Sequence, residues 1–113
     1  MLLLNWCQNI LKPYVDLEIA QPVKDFSQSW QNGIAFLSLI HSIRNDIVPE
    51  IDILVQEKDW YNNLERAFNL AEKHFKIISL LEPNDIVSVK NPDERIIMTY
   101  ISEFYWYINK EKK

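Results

Sequence analysis

A single glycine, Gly33, in a chain of 113 residues rules out most architectures that depend on tight turns. Two-residue hairpin loops need Asn-Gly, Asp-Gly or Gly-X to reach positive φ, and phosphate-cradling loops need several glycines together. The one Asn-Gly pair, Asn32-Gly33, precedes a helical pattern and does not join two strands, and a lone glycine cannot build a phosphate loop. Punctuation falls instead to five prolines, at 13, 22, 49, 83 and 92, which divide the chain into helical segments joined by irregular stretches. The expected fold is therefore all-α, with four main helices plus short helical turns. At 48% apolar residues the chain can fill one core, and it is too short for two, so residues 1–113 read as a single domain.

Hydrophobic spacing places the helices. Leu3, Trp6, Cys7, Ile10 and Leu11 follow the i, i+3, i+4, i+7, i+8 pattern of one buried face, and Pro13 is expected to stop that first helix. Trp6 and Cys7 are assigned to the core. Residues 14–29 lack sustained periodicity and carry Pro22, so they read as a long extended surface connection anchored by a few buried side chains, ending at Phe26. The second helix turns Phe36, Leu39, Ile40 and Ile43 inward, with Leu37 beside them, and Gly33 at its entry serves a close approach or a positive φ. Ile51, Ile53 and Leu54 then cap the core from one side. A third helix over 59–75 carries Leu64, Ala67, Phe68, Ala71 and Phe75 on one face, its two alanines allowing a neighbouring helix close. A short helical turn is expected around 79–82. Asn91 suits an N-cap, Pro92 the first helical position, and Asp93 and Glu94 the positive end of the dipole of the last helix. That helix buries Ile97, Tyr100, Ile101, Phe104 and Ile108, while Ile96, Met98, Tyr105, Trp106 and Tyr107 make much of its remaining circumference apolar.

Several chemistries lack their parts. Twelve Lys and Arg against 16 Asp and Glu leave a net charge of −4, which argues against nucleic acid as a partner because a polyanion site needs a basic field. The tail Lys110-Glu111-Lys112-Lys113 is basic only locally. One cysteine cannot form an internal disulfide and fits a reducing, cytoplasmic compartment. The opening apolar run is too short for a signal peptide, and no stretch approaches the length of a membrane span. His41 and His74 fall on different helices without paired carboxylates at ligand spacing, so no metal is implied. Asp52, Asp59, Asp85 and Asp93 lack the alternating ligands and central glycine of a calcium loop. No Gly-x-Ser-x-Gly, His-Glu-x-x-His or phosphate loop occurs, and neither catalysis nor a cofactor is expected.

Six strings recur in a fixed order along this frame: Leu3-Leu4-Asn5-Trp6-Cys7-Gln8, Phe26-Ser27-Gln28-Ser29-Trp30-Gln31-Asn32-Gly33, Ala35-Phe36-Leu37-Ser38-Leu39-Ile40-His41, Asn63-Leu64-Glu65-Arg66-Ala67-Phe68-Asn69-Leu70-Ala71-Glu72, Leu81-Glu82-Pro83-Asn84-Asp85-Ile86, and Pro92-Asp93-Glu94-Arg95-Ile96-Ile97-Met98-Thr99-Tyr100-Ile101. Together they resemble a calponin-homology domain across essentially the whole chain. The Trp-Cys-Gln turn and the Pro-Asp-Glu start resemble the second domain of the tandem pair in crosslinkers of the α-actinin, β-spectrin and filamin type. That resemblance implies a cytoplasmic role in the actin cytoskeleton without catalysis. It implies filamentous actin as partner, bound weakly by this domain, and a preceding first domain that carries most of the contact and that this one supports and regulates.

The resemblance also suggests sites. An actin-contact segment maps to the first helix, where Gln8, Asn9 and Lys12 are the polar residues outside the apolar stripe; the alternative is a helix that only completes the core. A phosphoinositide site maps to Lys12, Tyr14 and Lys24. There the run His41-Ser42-Ile43-Arg44 has fewer charges than the family's usual His-Arg-His-Arg, and two lysines contribute only about 1 kcal/mol each near an anionic surface. A lipid-responsive or signalling scaffold is the alternative function. Tyr105, Trp106 and Tyr107 either cover the core from another side or form a docking patch for the first domain.

Overall fold

The computed structural model describes residues 2–51 and 59–111. These form α1 (Leu2–Asp16), α2 (Ile34–Ile43), α3 (Trp60–Phe75), α4 (Pro83–Val87) and α5 (Glu94–Glu111), with 3-10 turns at Gln28–Trp30 and Asn45–Ile47 and no strand among the described residues. The centre is α2, in which every residue from Ile34 to Ile40 is buried. A helix apolar on all sides must be surrounded. It is packed by α1, by α3 and by the two 3-10 turns.

Gly33 sets how closely α3 can approach. Its φ of 81° is left-handed, and a Cβ built there would lie 2.6 Å from Asn63 Cβ, so both reasons for a glycine apply at once. Asn63 Nδ2 donates to Asn32 O at 3.0 Å across the same junction. Leu64, Ala67, Phe68, Ala71 and Phe75 of α3 are all buried, as their spacing requires. Asp59 caps this helix, its carboxylate accepting from the Asn62 N–H at 3.0 Å. At the other end Lys76 takes the left-handed conformation, φ 59°, and its N–H donates to Glu72 O at 3.1 Å. The aromatic centre is edge-on: Tyr100 meets Phe36, Phe68 and Phe104 at 5.6, 5.3 and 5.3 Å, and Trp30 lies 4.8 Å from Phe36.

Three polar side chains of residues 27–31 strap the N-terminal half to the α4–α5 connection. Ser27 Oγ donates to Pro92 O at 2.7 Å. Gln28 Nε2 donates to Lys90 O at 3.0 Å and Asn91 Oδ1 at 2.9 Å. Gln31 Nε2 donates to Ile86 O at 3.0 Å and Val89 O at 2.7 Å. The turn carrying them is held by Asp25, whose Oδ1 accepts from the N–H groups of Ser27 and Ser29. Burial opposes ionisation of this carboxyl, but those hydrogen bonds outweigh it and hold it below its ordinary range.

The structure corrects several sequence expectations. Pro13 does not stop α1, which runs on to Asp16. Pro13 and Asn9 are both exposed, so water can serve the Asn9 carbonyl that proline cannot. The helical turn expected at 79–82 lies instead at Pro83–Val87. A proline drives the residue before it out of the helical region, and Glu82 is extended with ψ 157°, so the helix can only begin at Pro83. The last helix starts at Glu94, and Asp93 caps it in place of Asn91, accepting from the Arg95 N–H at 2.9 Å. Asn91 and Pro92 are taken up by the straps. Trp6, assigned to the core with Cys7, is only half-buried, whereas Cys7 is fully enclosed. Ile43 and Ile108 are half-buried too. Residues 14–29 have less extended chain than expected, since 14–16 are helical and Glu18 (φ 61°) turns the chain; Ile19, Ala20, Val23 and Phe26 anchor the stretch. Ile51 is buried, while Ile53 and Leu54 fall outside the described residues.

Candidate functional site

With Cys7 and Leu11 turned into the core, α1 exposes Gln8, Asn9 and Lys12 within about one turn of each other. Gln8 is not free to reorient, because its Nε2 donates to Val23 O at 2.9 Å and ties α1 to the following connection. Lys12 pairs with Asp16 at 2.7 Å, an exposed i, i+4 pair that cancels most of its field. Asn9 is exposed, and its side chain makes no hydrogen bond among the described residues.

Lys12 and Lys24 line one shallow cleft of about 250 Å³ with Gln8, Val15 and Val23. Tyr14 is not part of it. Its hydroxyl is hydrogen-bonded to His41 Nδ1 at 2.8 Å, the rings meet edge to face at 5.5 Å, and burial raises the hydroxyl's pKa. Tyr14 therefore fastens α1 to α2. Arg44 is drawn to Asp46 at 2.5 Å and adds nothing to the cleft.

A larger groove of about 650 Å³ lies between α1 and α5, lined by Leu2, Leu3, Trp6, Met98, Tyr105 and Trp106 with uncharged Asn5, Asn9 and Ser102. Trp6 meets Tyr105 edge-on at 5.2 Å, and Tyr105 meets Trp106 at 5.6 Å. Trp106 is 68% exposed, an unusual position for the largest apolar side chain. Tyr107 is not part of this groove. It packs on Phe75 at 4.9 Å and helps to close the core. Of the three aromatic candidates, Tyr105 and Trp106 are brought together and Tyr107 is kept apart.

Five helices among the described residues with α2 buried at their centre, six ordered strings and an aromatic groove on α1 and α5 agree with a match of residues 1–110 to the family described as Calponin homology (CH) domain. The chain is a calponin-homology domain. It is 43% identical to alpha-actinin-4 of Homo sapiens over 103 residues, 91% of this chain. It is 40% identical to the erythrocytic spectrin beta chain of Mus musculus over 110 residues, or 97% of the chain. With nesprin-2 of Homo sapiens it shares 41% identity over 105 residues, or 93% of the chain. The calponin-homology domain spans 11%, 5% and 1% of the lengths of these three relatives.

Membership of this family makes the chain a non-enzymatic module, and its titratable groups are arranged for packing. Burial pushes the Cys7 thiol up to about 12, so at neutral pH it stays protonated and unreactive. Among the described residues no three His, Cys, Asp or Glu side chains are grouped to hold a metal ion, and no helix is long and apolar enough to cross a membrane. The sequence reading placed Asn9, Tyr105 and Trp106 at contact sites but not the other members of the α1–α5 groove, Leu2, Leu3, Asn5, Trp6, Met98 and Ser102. Trp6 lies at the edge of the α1 stripe, flanking Cys7, and a helix stripe one residue wider than its core contact is the signal that could have placed it at the surface. The Tyr14–His41 bond, spanning 27 residues, has no local signal.

Proposed function

We propose that this calponin-homology domain is an actin-binding module of the cytoplasmic cytoskeleton, the second member of a tandem pair, weak on its own and supporting a preceding domain. The observation that carries this reading is the α1–α5 groove. An uncharged apolar trough with a projecting Trp106 and an adjacent Tyr105 has the make-up of a protein-docking centre, where exposed aromatic anchors supply most of the binding energy. The exposed polar edge of α1, Gln8, Asn9 and Lys12, borders it, since Asn9 lines the groove and Gln8 and Lys12 line the neighbouring cleft. Likeness to alpha-actinin-4 and spectrin beta chain supports filamentous actin as the partner.

The test is co-sedimentation with filamentous actin. This domain alone pellets weakly, a chain extended by an upstream calponin-homology domain binds severalfold more tightly, and Trp106→Ala lowers that gain. Tight binding by the 113 residues alone, with no gain from the upstream domain, counts against the reading. A second reading, phosphoinositide binding, draws on Lys12 and Lys24 sharing a cleft. Asp16 neutralises half of that charge, which leaves it the weaker of the two. Unchanged binding to phosphoinositide vesicles after reversal of both lysines would end it.

A further inference from the structure

We propose that the face made by residues 78–81 and the N-terminal half of α5 pairs with the same face of a second copy of this chain, α5 antiparallel to α5 about a two-fold axis at Thr99. The hollow on this face shares no lining residue with the α1–α5 groove. Leu80 is 87% exposed, Ile78 64% and Ile96 42%, and these side chains border a hollow of about 210 Å³ that Tyr100 also lines. Such a volume falls short of the 300 Å³ or more of small-molecule sites and suits one large aliphatic side chain. Leu80 is such a side chain, standing free beside the hollow. One surface thus supplies both knob and recess, the requirement for an isologous pair.

Charge fixes the partner as a second copy. Arg95 and Glu103 line the same hollow, are both exposed, and make no ion pair among the described residues. They stand four residues to either side of Thr99, about 12 Å apart along the axis at 1.5 Å per residue. When two copies of α5 run antiparallel with Thr99 facing Thr99, each Arg95 lies opposite the partner's Glu103, and both unpaired charges are matched twice. A parallel arrangement would set Arg95 against Arg95 and Glu103 against Glu103. The side-chain positions 95, 96, 99, 100 and 103 share one face of the helix, so Ile96 and the Leu80 knob are buried between the two ion pairs.

Sedimentation equilibrium of the chain from about 10 µM to about 1 mM tests this, and a concentration-dependent dimer in that range is expected, since the apolar patch is small. Arg95→Glu and Glu103→Arg singly each turn two attractions into two repulsions and weaken the dimer about tenfold, while the two together restore the pairs and return affinity to within about threefold of the starting chain. Leu80→Asp, at a position 87% exposed, gives a monomer with unchanged thermal stability. The proposal is overturned by a monomer throughout the range, by single reversals without effect, by a double reversal as weak as either single one, or by a dimer that survives Leu80→Asp.

Discussion

Replacing Gly33 by alanine isolates the junction on which the α2–α3 packing rests. Two costs arise from the structure. The residue sits at φ 81°, and holding an L side chain in left-handed backbone costs about 1–2 kcal/mol. The new Cβ would also lie 2.6 Å from Asn63 Cβ, 2.9 Å from Leu64 N and 3.0 Å from Asn63 C. These are backbone and first side-chain atoms of α3, not flexible ends, so α3 must shift as a body and strain the Asn63–Asn32 hydrogen bond. Overpacking of this kind costs about 1–3 kcal/mol more. Together the loss is about 3 kcal/mol. With a urea slope of about 1.5 kcal/mol/M, the midpoint falls by about 2 M. Urea unfolding followed through tryptophan fluorescence, to which buried Trp30 contributes beside Trp6, Trp60 and Trp106, reads it. The same substitution in an Asn63→Gly background removes the tightest contact, with Asn63 Cβ, while the contacts with Leu64 N and Asn63 C and the backbone cost of about 1–2 kcal/mol remain, so a smaller loss is expected there. A midpoint shift below about 0.5 M, or an equal loss in both backgrounds, would refute the argument.

Other perturbations follow from single groups. Asp25 has a depressed pKa, so its contribution is present above the unfolded value near 4 and is lost as pH falls below it; Asp25→Asn costs about 1 kcal/mol at pH 7, and its gap from the parent chain shrinks at pH 3 in paired urea titrations. Among the described residues the buried hydroxyls of Ser38 and Tyr100 have no hydrogen-bond partner, so Ser38→Ala and Tyr100→Phe each raise stability by about 1 kcal/mol, seen as a rise of about 4 °C in melting temperature by calorimetry. Lys76 caps α3 in left-handed backbone while exposed, and Lys76→Gly raises the urea midpoint, the relief of strain amounting to about 1 kcal/mol.

What the sequence made legible was whatever a helix repeats. Leu64, Ala67, Phe68, Ala71 and Phe75 are one face of one helix, and a period of 3.6 is enough to find them. Helix ends were harder, because they turn on competition between neighbouring residues. Asn91 and Asp93 are both good caps by type, but Asp93 caps the helix while Asn91 accepts from Gln28, 63 residues away in sequence. Pro13 read as a stop because a proline usually is one; whether the carbonyl it abandons faces water is a property of the packed molecule. The surface behaved similarly. Gln8, Asn9 and Lys12 could be assigned to the exposed side of α1 from the stripe alone. The split of Tyr105 and Trp106 from Tyr107 could not, since it depends on Trp6 and Phe75 meeting α5 from opposite sides.

The straps from Ser27, Gln28 and Gln31 reach partners 55 to 65 residues further along the chain. During synthesis, the turn at 27–31 leaves the ribosome long before residues 86–92 exist to receive it. Its buried neighbour Trp30 likewise waits for Tyr100 and Phe104 to complete the aromatic centre. Closing so long a loop costs entropy that nothing local offsets, which makes folding a late event that engages nearly the whole chain at once. A nascent chain halted before α5 would expose the apolar faces of α2 and α3 to chaperones, whereas one carrying α5 would release them together.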